Sequence, residues 1–389
     1  MFEKFTAQKI LKLLEKVEHG TLLLTTPDGE KHYFAGQLKG PKADITIDKW
    51  SVITRLPYKG DIGFAEDYKN GHWETDDIRA LMDFAVMNAK RLEGIFFSGK
   101  LMSALTRFLY ALRPNSVSGS RKNIHAHYDL GNAFYELWLD PSMTYSSALF
   151  ETDKQNLLVA QNNKYDRIAS LLSEKSGRLL EIGCGWGGFA ERASTQGDFE
   201  IKGLTISDEQ YKYAVARNVE HKNVTIVHQD YRHEAGQYDH IVSIEMFEAV
   251  GQKYWKTYFD QVAHNLKSKG KAVIQTITIG DTDFEKYKNS GDFIRSFIFP
   301  GGLLPSPELF RKYAEHAGLR VGGVFPFGQD YARTLDRWLS NFDAQIDKIK
   351  ELGFDEPFIR IWRMYLASCM AEFKSGRTDV MQFELSHAR

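Results

Sequence analysis

The chain has 389 residues, 43% of them hydrophobic and 26% charged, which is enough for two domains with packed cores and excludes an intrinsically disordered polypeptide. Its formal net charge of -1 excludes a global basic field of the kind that draws proteins to nucleic acid, so attraction to an anionic surface has to come from a local patch. Two cysteines, Cys184 and Cys369, are too few and too far apart for a disulfide framework or a zinc cluster and point to a reducing compartment.

In chain order, Met1 to Phe5 lead into charged amphipathic sequence with no signal-peptide core. No later run reaches the roughly 18 apolar residues of a membrane span, so membrane contact is expected only from the surface. A helix is expected over residues 7 to 18, followed by short alternating runs at 21–25 and 43–47 split by Pro-Asp-Gly and Gly-Pro turn signals. That is a small α+β module. Two helical patterns come next, 75–88 and 100–112; the second puts Leu101, Leu105, Phe108, Leu109 and Leu112 on one face, near Lys100, Arg107 and Arg113. Such a stripe reads either as a domain-packing helix or as a surface that touches lipid. The polar, partly basic stretch 115–123 is the best linker, and the boundary falls there, giving domains 1–118 and 119–389.

Beyond Ser173 the pattern becomes strand (178–182), glycine loop (183–188), helix (to about 195) and strand (201–206). Further strands are expected at 224–227, 240–244 and 272–277, with a helix at 253–266. Alternation of this kind implies a doubly wound α/β sheet. Phe325, Phe327, Trp338, Phe342, Trp362 and Tyr365 crowd the C-terminal region at helical spacings and are expected in the core, with a few lining an acyl tunnel.

In Leu179-Leu180-Glu181-Ile182-Gly183-Cys184-Gly185-Trp186-Gly187-Gly188 the glycines stand where a strand turns into a helix, so that backbone can approach a nucleotide-like ligand closely. Gly183, Gly185 and Gly188 fit a dinucleotide loop, whereas Gly183, Gly185 and Gly187 fit a methyltransferase loop. Glu181 before the loop, and the tract from Gln229-Asp230-Tyr231 to Tyr238-Asp239-His240-Ile241-Val242-Ser243 after it, favour an S-adenosylmethionine fold. The second strand ends in Gly203-Leu204-Thr205-Ile206-Ser207 without a ribose-binding carboxylate, which leaves Thr205, Ser207 and Gln210 as substitutes.

With these motifs the chain resembles the cyclopropane-fatty-acid synthase family from about residue 122 to the C-terminus. The resemblance is carried by His127-Tyr128-Asp129-Leu130-Gly131-Asn132, Met143-Thr144-Tyr145-Ser146-Ser147, the glycine loop, Gly203-Leu204-Thr205-Ile206-Ser207, Glu245-Met246-Phe247-Glu248-Ala249-Val250-Gly251 and Phe297-Ile298-Phe299-Pro300-Gly301-Gly302. It implies a Rossmann-like class I methyltransferase sheet with helical additions, behind a small N-terminal α+β domain that recruits lipid. The implied reaction transfers a methyl(ene) group from S-adenosylmethionine to the double bond of unsaturated acyl chains in membrane phospholipids.

By that resemblance Tyr145 and Ser146 hold the methionyl part of the cofactor, Glu181, Gly183, Gly185 and Gly187 its carboxylate side, and Gln210 with Thr205 and Ser207 the ribose. Asp230, Tyr231 and Arg232 flank the adenine, and Glu245 joins the cofactor set. The implied catalytic set is Glu248, Tyr331, Ser147 and Ile279, with bicarbonate as a base. Ser147 and Ile277, however, stand where the family has cysteine and histidine, which puts bicarbonate in doubt and opens a methyl-branched or methylene product as the alternative to a cyclopropane. A non-catalytic lipid-binding protein of the same fold is the remaining reading.

An alkene is a weak nucleophile and its methylation leaves a carbocation, so the pocket is expected to be dry and aromatic. No metal is expected, because His125 and His127 have no third ligand at a sensible spacing. The implied partners are membrane phospholipids, a second copy of the chain and a separate reductase, with no nucleic acid. The implied location is cytoplasmic, peripheral on the inner face of the membrane.

Overall fold

The computed structural model describes residues 2–92 and 130–388. The expected helix 100–112, the linker 115–123, the boundary at 118/119 and the pair His125 and His127 lie outside the described residues. By contact the chain forms two compact units, each discontinuous in sequence. Segments 286–300 and 338–375, which follow the expected boundary, pack in the first unit with the N-terminal residues. The second unit holds the rest.

The first unit opens with the helix Phe2–Leu11, whose continuation Lys12–Lys16 tightens into a 3-10 turn, so the helix expected over 7–18 starts earlier and ends differently. Strands β1 (His19–Thr25), β2 (Lys31–Ala35), β3 (Leu38–Ile47) and β4 (Trp73–Glu74) form a sheet in the order β2-β1-β3-β4. Leu22 and Leu24 alternate inward and pair with Phe34, Ala43 and Ile45, while Gly29 (φ 81°) closes the β1–β2 turn. The helix Ser51–Lys69 was not expected: Pro57 and Gly60 lie inside it, and Gly60 (φ 57°, ψ -144°) breaks it into two pieces. The helix Ile78–Met87 starts at Asp77, whose carboxylate accepts the Arg79 and Ala80 N–H groups, and buries Ile78, Leu81, Met82 and Phe84. The helix Glu356–Ser375 packs on it.

Buried Asn88 joins these layers. Its Oδ1 accepts the backbone N–H groups of Glu18 (2.8 Å) and His19 (3.0 Å), and its Nδ2 donates to the carbonyls of His19 and Phe84, both at 2.9 Å.

The second unit carries seven strands, β5 (Ser176–Ile182), β6 (Asp198–Thr205), β7 (Val224–His228), β8 (Tyr238–Ile244), β9 (Leu266–Ile279), β10 (Leu319–Pro326) and β11 (Thr378–His387). Their order is β10-β11-β9-β8-β5-β6-β7, parallel from β7 through β9, with β11 antiparallel to both neighbours. This is the doubly wound α/β sheet expected; β10 and β11 were not. Leu179, Phe189, Phe199, Ile201, Ala214, Val242 and Val273 make one core. The strand order reverses between β5 and β8, which opens a crevice at their C-terminal ends, the place where such sheets bind ligands. No described helix is long and apolar enough to cross a membrane.

Replacing Asn88 by alanine leaves buried backbone groups at the start of β1 without partners. The expected loss of stability is about 2–3 kcal/mol, read as a lower urea midpoint and faster hydrogen exchange in β1.

Candidate active site

At the end of β5 the chain turns sharply: the N–H groups of Gly183 (3.0 Å) and Cys184 (2.8 Å) both donate to the carbonyl of Leu204 on β6. Gly183, Gly185 and Gly187 all have positive φ (81°, 52° and 81°), which side chains rarely adopt. They differ in what surrounds them. A Cβ on Gly187 would lie 2.6 Å from Asn218 and one on Gly183 2.8 Å from Met246, whereas one on Gly185 meets nothing within 4 Å. The first two glycines serve packing; Gly185 leaves backbone open to a ligand.

On the neighbouring strand ends, Thr205 donates to Gln210 Oε1 (3.0 Å), and Ser207 caps the helix Asp208–Arg217 by accepting the Gln210 N–H (3.3 Å). Asp230 accepts three bonds from Arg232, from its backbone N–H (3.0 Å), Nε (2.9 Å) and Nη2 (2.6 Å). Burial works against its charge, but Arg232 holds the carboxyl below the usual range. Tyr231 meets the ring of Tyr258 edge-on at 5.5 Å.

The segment from Pro141 to Ala148 runs along the glycine loop. Arg217 clamps it by donating to the carbonyls of Ser142 (2.6 Å) and Pro141 (2.8 Å), beside Met143 in left-handed backbone (φ 52°). Tyr145 packs against Tyr135 and Trp138, and Tyr135 in turn packs against Trp186 of the loop at 5.0 Å. The next three residues are tied to three different elements. The Ser146 carbonyl accepts from Gln161 (2.9 Å) and its hydroxyl from Lys164 Nζ (2.6 Å), both on the helix Leu157–Leu171. The Ser147 N–H donates to Glu245 Oε1 at 2.9 Å, while its hydroxyl turns to the Ala148 carbonyl at 3.0 Å. The Ala148 N–H donates to Thr334 at 3.0 Å, on the helix Gly328–Ala344.

Two carboxylates follow β8. Glu245 has φ 51°, a costly conformation for a side chain of this size, and its backbone N–H is held by the Gln275 carbonyl at 2.8 Å. The turn aims its carboxylate at three donors: the Ser147 N–H (2.9 Å), Gln275 Nε2 (2.7 Å) and the Tyr331 hydroxyl (2.7 Å). Gln275 is itself fixed by Gln382, and Gln382 by Arg167, which stacks on Phe325. Glu248 accepts the Ile277 N–H on one oxygen, and among the described residues its other oxygen has no hydrogen-bond partner. Burial pushes both carboxyls up, and the charge of Glu245 pushes Glu248 further. Lys164 and the three donors oppose the rise at Glu245, whereas at Glu248 the charge of Glu245 adds to it.

Of the expected catalytic residues, Ser147 and Tyr331 meet at one point, but the carboxylate between them is that of Glu245, which had been grouped with the cofactor. Glu248 reaches the β9 backbone at Ile277 instead, and the Ile279 N–H is spent on the Pro305 carbonyl at 3.0 Å. Lys164 and Gln275 were not anticipated. Lys164 had a signal in the sequence: Leu157, Ala160, Gln161, Lys164, Tyr165 and Ile168 follow a helical stripe, and all are buried. Among the described residues no cluster of His, Cys, Asp and Glu is arranged to hold a metal ion.

The residues present fit S-adenosylmethionine. The open side of Gly185, the buried Glu181 Oε2, which has no hydrogen-bond partner among the described residues, and the Thr205–Ser207–Gln210 cluster share the C-terminal edge of the sheet.

Known proteins resemble this chain in sequence and fold. The family described as mycolic acid cyclopropane synthetase matches residues 116–383. The chain is 35% identical to a tuberculostearic acid methyltransferase of Mycobacterium tuberculosis over 86% of its own length and 81% of the relative's. It is 37% identical to the cyclopropane-fatty-acyl-phospholipid synthase of Escherichia coli, covering 88% of each chain. Among solved structures it is similar to the mycolic acid cyclopropane synthase CmaA1 complexed with SAH and CTAB, with a TM-score of 0.64, 31% identity, and 68% of this chain and 97% of the other covered.

Burial pushes the Glu181 carboxyl up to about 8, with Lys164 partly opposing. An ordinary glutamate titrates near 4.5, so between these values the folded chain keeps a proton that the unfolded chain has lost. The stability this group contributes is complete below 4.5 and is lost as pH rises to about 8. Glu181→Gln should therefore gain urea midpoint relative to the parent as pH is raised through that window.

Proposed function

The chain belongs to the mycolic acid cyclopropane synthetase family and is an S-adenosylmethionine-dependent methyltransferase, and we propose that it methylates the double bond of unsaturated acyl chains in membrane phospholipids, with Glu245 as the base that completes the reaction. The observation that carries this reading is the Glu245 carboxylate, buried and held by Ser147, Gln275 and Tyr331.

In this reading Tyr145, Ser146 and the glycine loop seat the amino-acid end of the cofactor, Gln210 with Thr205 and Ser207 the ribose, and Asp230, Tyr231 and Arg232 the adenine. When bound, the cofactor supplies an electrophilic methyl group on a sulfonium. The carbocation that the acyl chain then carries has to be kept from water. A hydride shifts from the methylated carbon to its cationic neighbour, and Glu245 takes a proton from the added methyl group; the C–H electron pair then becomes the π bond of an exocyclic methylene, or, without the hydride shift, the new C–C bond of a cyclopropane, and Tyr331 and Ser147 steady the charge on the carboxylate until then. Glu248 contributes shape and a hydrogen-bond acceptor to β9.

A resident carboxylate among these donors makes bicarbonate unnecessary. With Ile277 in place of histidine, and with a tuberculostearic acid methyltransferase among the relatives, the favoured product is a methylene-bearing chain, which a separate reductase would turn into a methyl branch. Ring closure to a cyclopropane is the second reading, favoured by the similarity to the synthase of Escherichia coli. Fragmentation mass spectrometry of phospholipids from a host fed methyl-labelled methionine separates the two: a labelled exocyclic methylene or branch supports the first, a labelled ring the second, and no label in lipid overturns both.

Glu245→Gln should lower kcat about 100-fold or more with cofactor affinity nearly unchanged, and Glu248→Gln should cost much less. The reverse order would exchange their roles.

The first unit is read as the lipid-recruiting part. On its sheet Tyr33 (68% exposed) pairs with Leu23, and exposed Leu38 is followed on β3 by Lys39, also exposed, and by Lys42. The double variant Tyr33→Ser, Leu38→Ser should lose co-sedimentation with anionic vesicles severalfold while binding S-adenosylmethionine as before.

A further inference from the structure

A lysine with no exposed surface is rare, and Lys164 is one, at 0% exposure. Its Nζ donates to Ser146 Oγ (2.6 Å) and Gln161 Oε1 (2.8 Å) and lies 4.4 Å from the centre of the Tyr165 ring. These partners are neutral, and among the described residues no direct ion pair compensates its burial.

Acidic groups face it from three other elements: Asp140 before the clamped loop, Glu181 on β5, which keeps its own proton up to about 8, and Glu245 after β8, the last bonded to Tyr331. Burial drives the lysine down from its ordinary range, and the carboxylates of Asp140 and Glu245 push back. Such a site favours one positive charge and is indifferent to which group carries it. Lys164 can shed its charge as a proton; a sulfonium cannot.

We propose that Lys164 is the resident positive charge of the cofactor site and is exchanged, as a proton, for the sulfonium of S-adenosylmethionine when that cofactor binds. This rests on the reading of Ser146 and the glycine loop as the cofactor's seat. In the exchange one Nζ–H bond breaks, its electron pair stays on nitrogen, and the proton passes to the buffer. The neutral amine keeps a donor for Gln161 and gains a lone pair that accepts the Ser146 hydroxyl proton. S-adenosylhomocysteine has the same adenosine and amino-acid ends with a neutral thioether, so its binding drives no exchange. Acid conditions therefore favour S-adenosylhomocysteine over S-adenosylmethionine at this site.

Calorimetric titration of the full chain with each ligand, in buffers of different ionisation enthalpy, counts the protons released. S-adenosylmethionine should release close to one proton per site near pH 6 and progressively less as pH rises, with affinity tightening up to about tenfold per pH unit on the acid side, while S-adenosylhomocysteine stays flat. Lys164→Met should erase the difference between the ligands, which also controls for their own amino groups. Lys164→Arg, whose charge is permanent, should weaken S-adenosylmethionine selectively. Equal proton release for both ligands in the parent, or a difference that persists in Lys164→Met, overturns the exchange while leaving the cofactor seat intact. Failure of both ligands to bind the parent overturns the seat and the exchange with it.

Discussion

A buried carboxylate has to be given its donors before anything around it can settle, because a charge left unpaired in the interior costs several kcal/mol. Glu245 takes its three from the loop that carries Ser147, from β9 and from the helix Gly328–Ala344, so one side chain sets the spacing of three elements. The left-handed backbone that aims it costs about 1–3 kcal/mol. Behind it, Gln275 can donate only if its own oxygen faces Gln382, which fixes the orientation of that amide and, through it, of Arg167. The crevice is thus held from outside inward by a line of neutral amides ending in one carboxylate.

Chemistry and packing draw on the same feature. A crevice dry enough to protect a carbocation is also one that raises every carboxyl within it, and Glu181, Glu245 and Glu248 are all displaced in that direction. What separates them is hydrogen bonding: Glu245 has donors for both oxygens, whereas one oxygen each of Glu181 and Glu248 has no hydrogen-bond partner among the described residues. Two glutamates three residues apart acquire different hydrogen-bonding surroundings by this means.

The sheet and the glycine loop were legible in the sequence because each rests on a local rule: alternation of apolar residues for the strands, positive φ for the glycines. The motif around Glu248 was equally visible, but nothing in the spelling Glu-Met-Phe-Glu distinguishes the two glutamates; the difference lies in a backbone torsion at the first of them. The helix Ser51–Lys69 was hidden by Pro57 and Gly60, residues that ordinarily end helices and here mark a break within one. Lys164 was legible and overlooked, since a lysine within an apolar stripe contradicts the binary pattern, and such contradictions gather at functional sites. Asn88 had no signal, because three of its four hydrogen bonds go to backbone groups about 70 residues away.

The order in which the chain is made sets a limit on when either unit can be completed. Emerging from the ribosome, the first 92 residues possess a sheet and one helix face but lack Glu356–Ser375, the helix that packs on that face. The larger sheet likewise waits for β11, which sits between β9 and β10 and is the last strand of the chain. Neither unit therefore has the N-terminal-first head start common in multidomain proteins. Until Glu356–Ser375 is made, the helix Ile78–Met87 lacks one of its packing partners, which makes the nascent chain a natural client for chaperones and a stop before residue 356 damaging to both units at once.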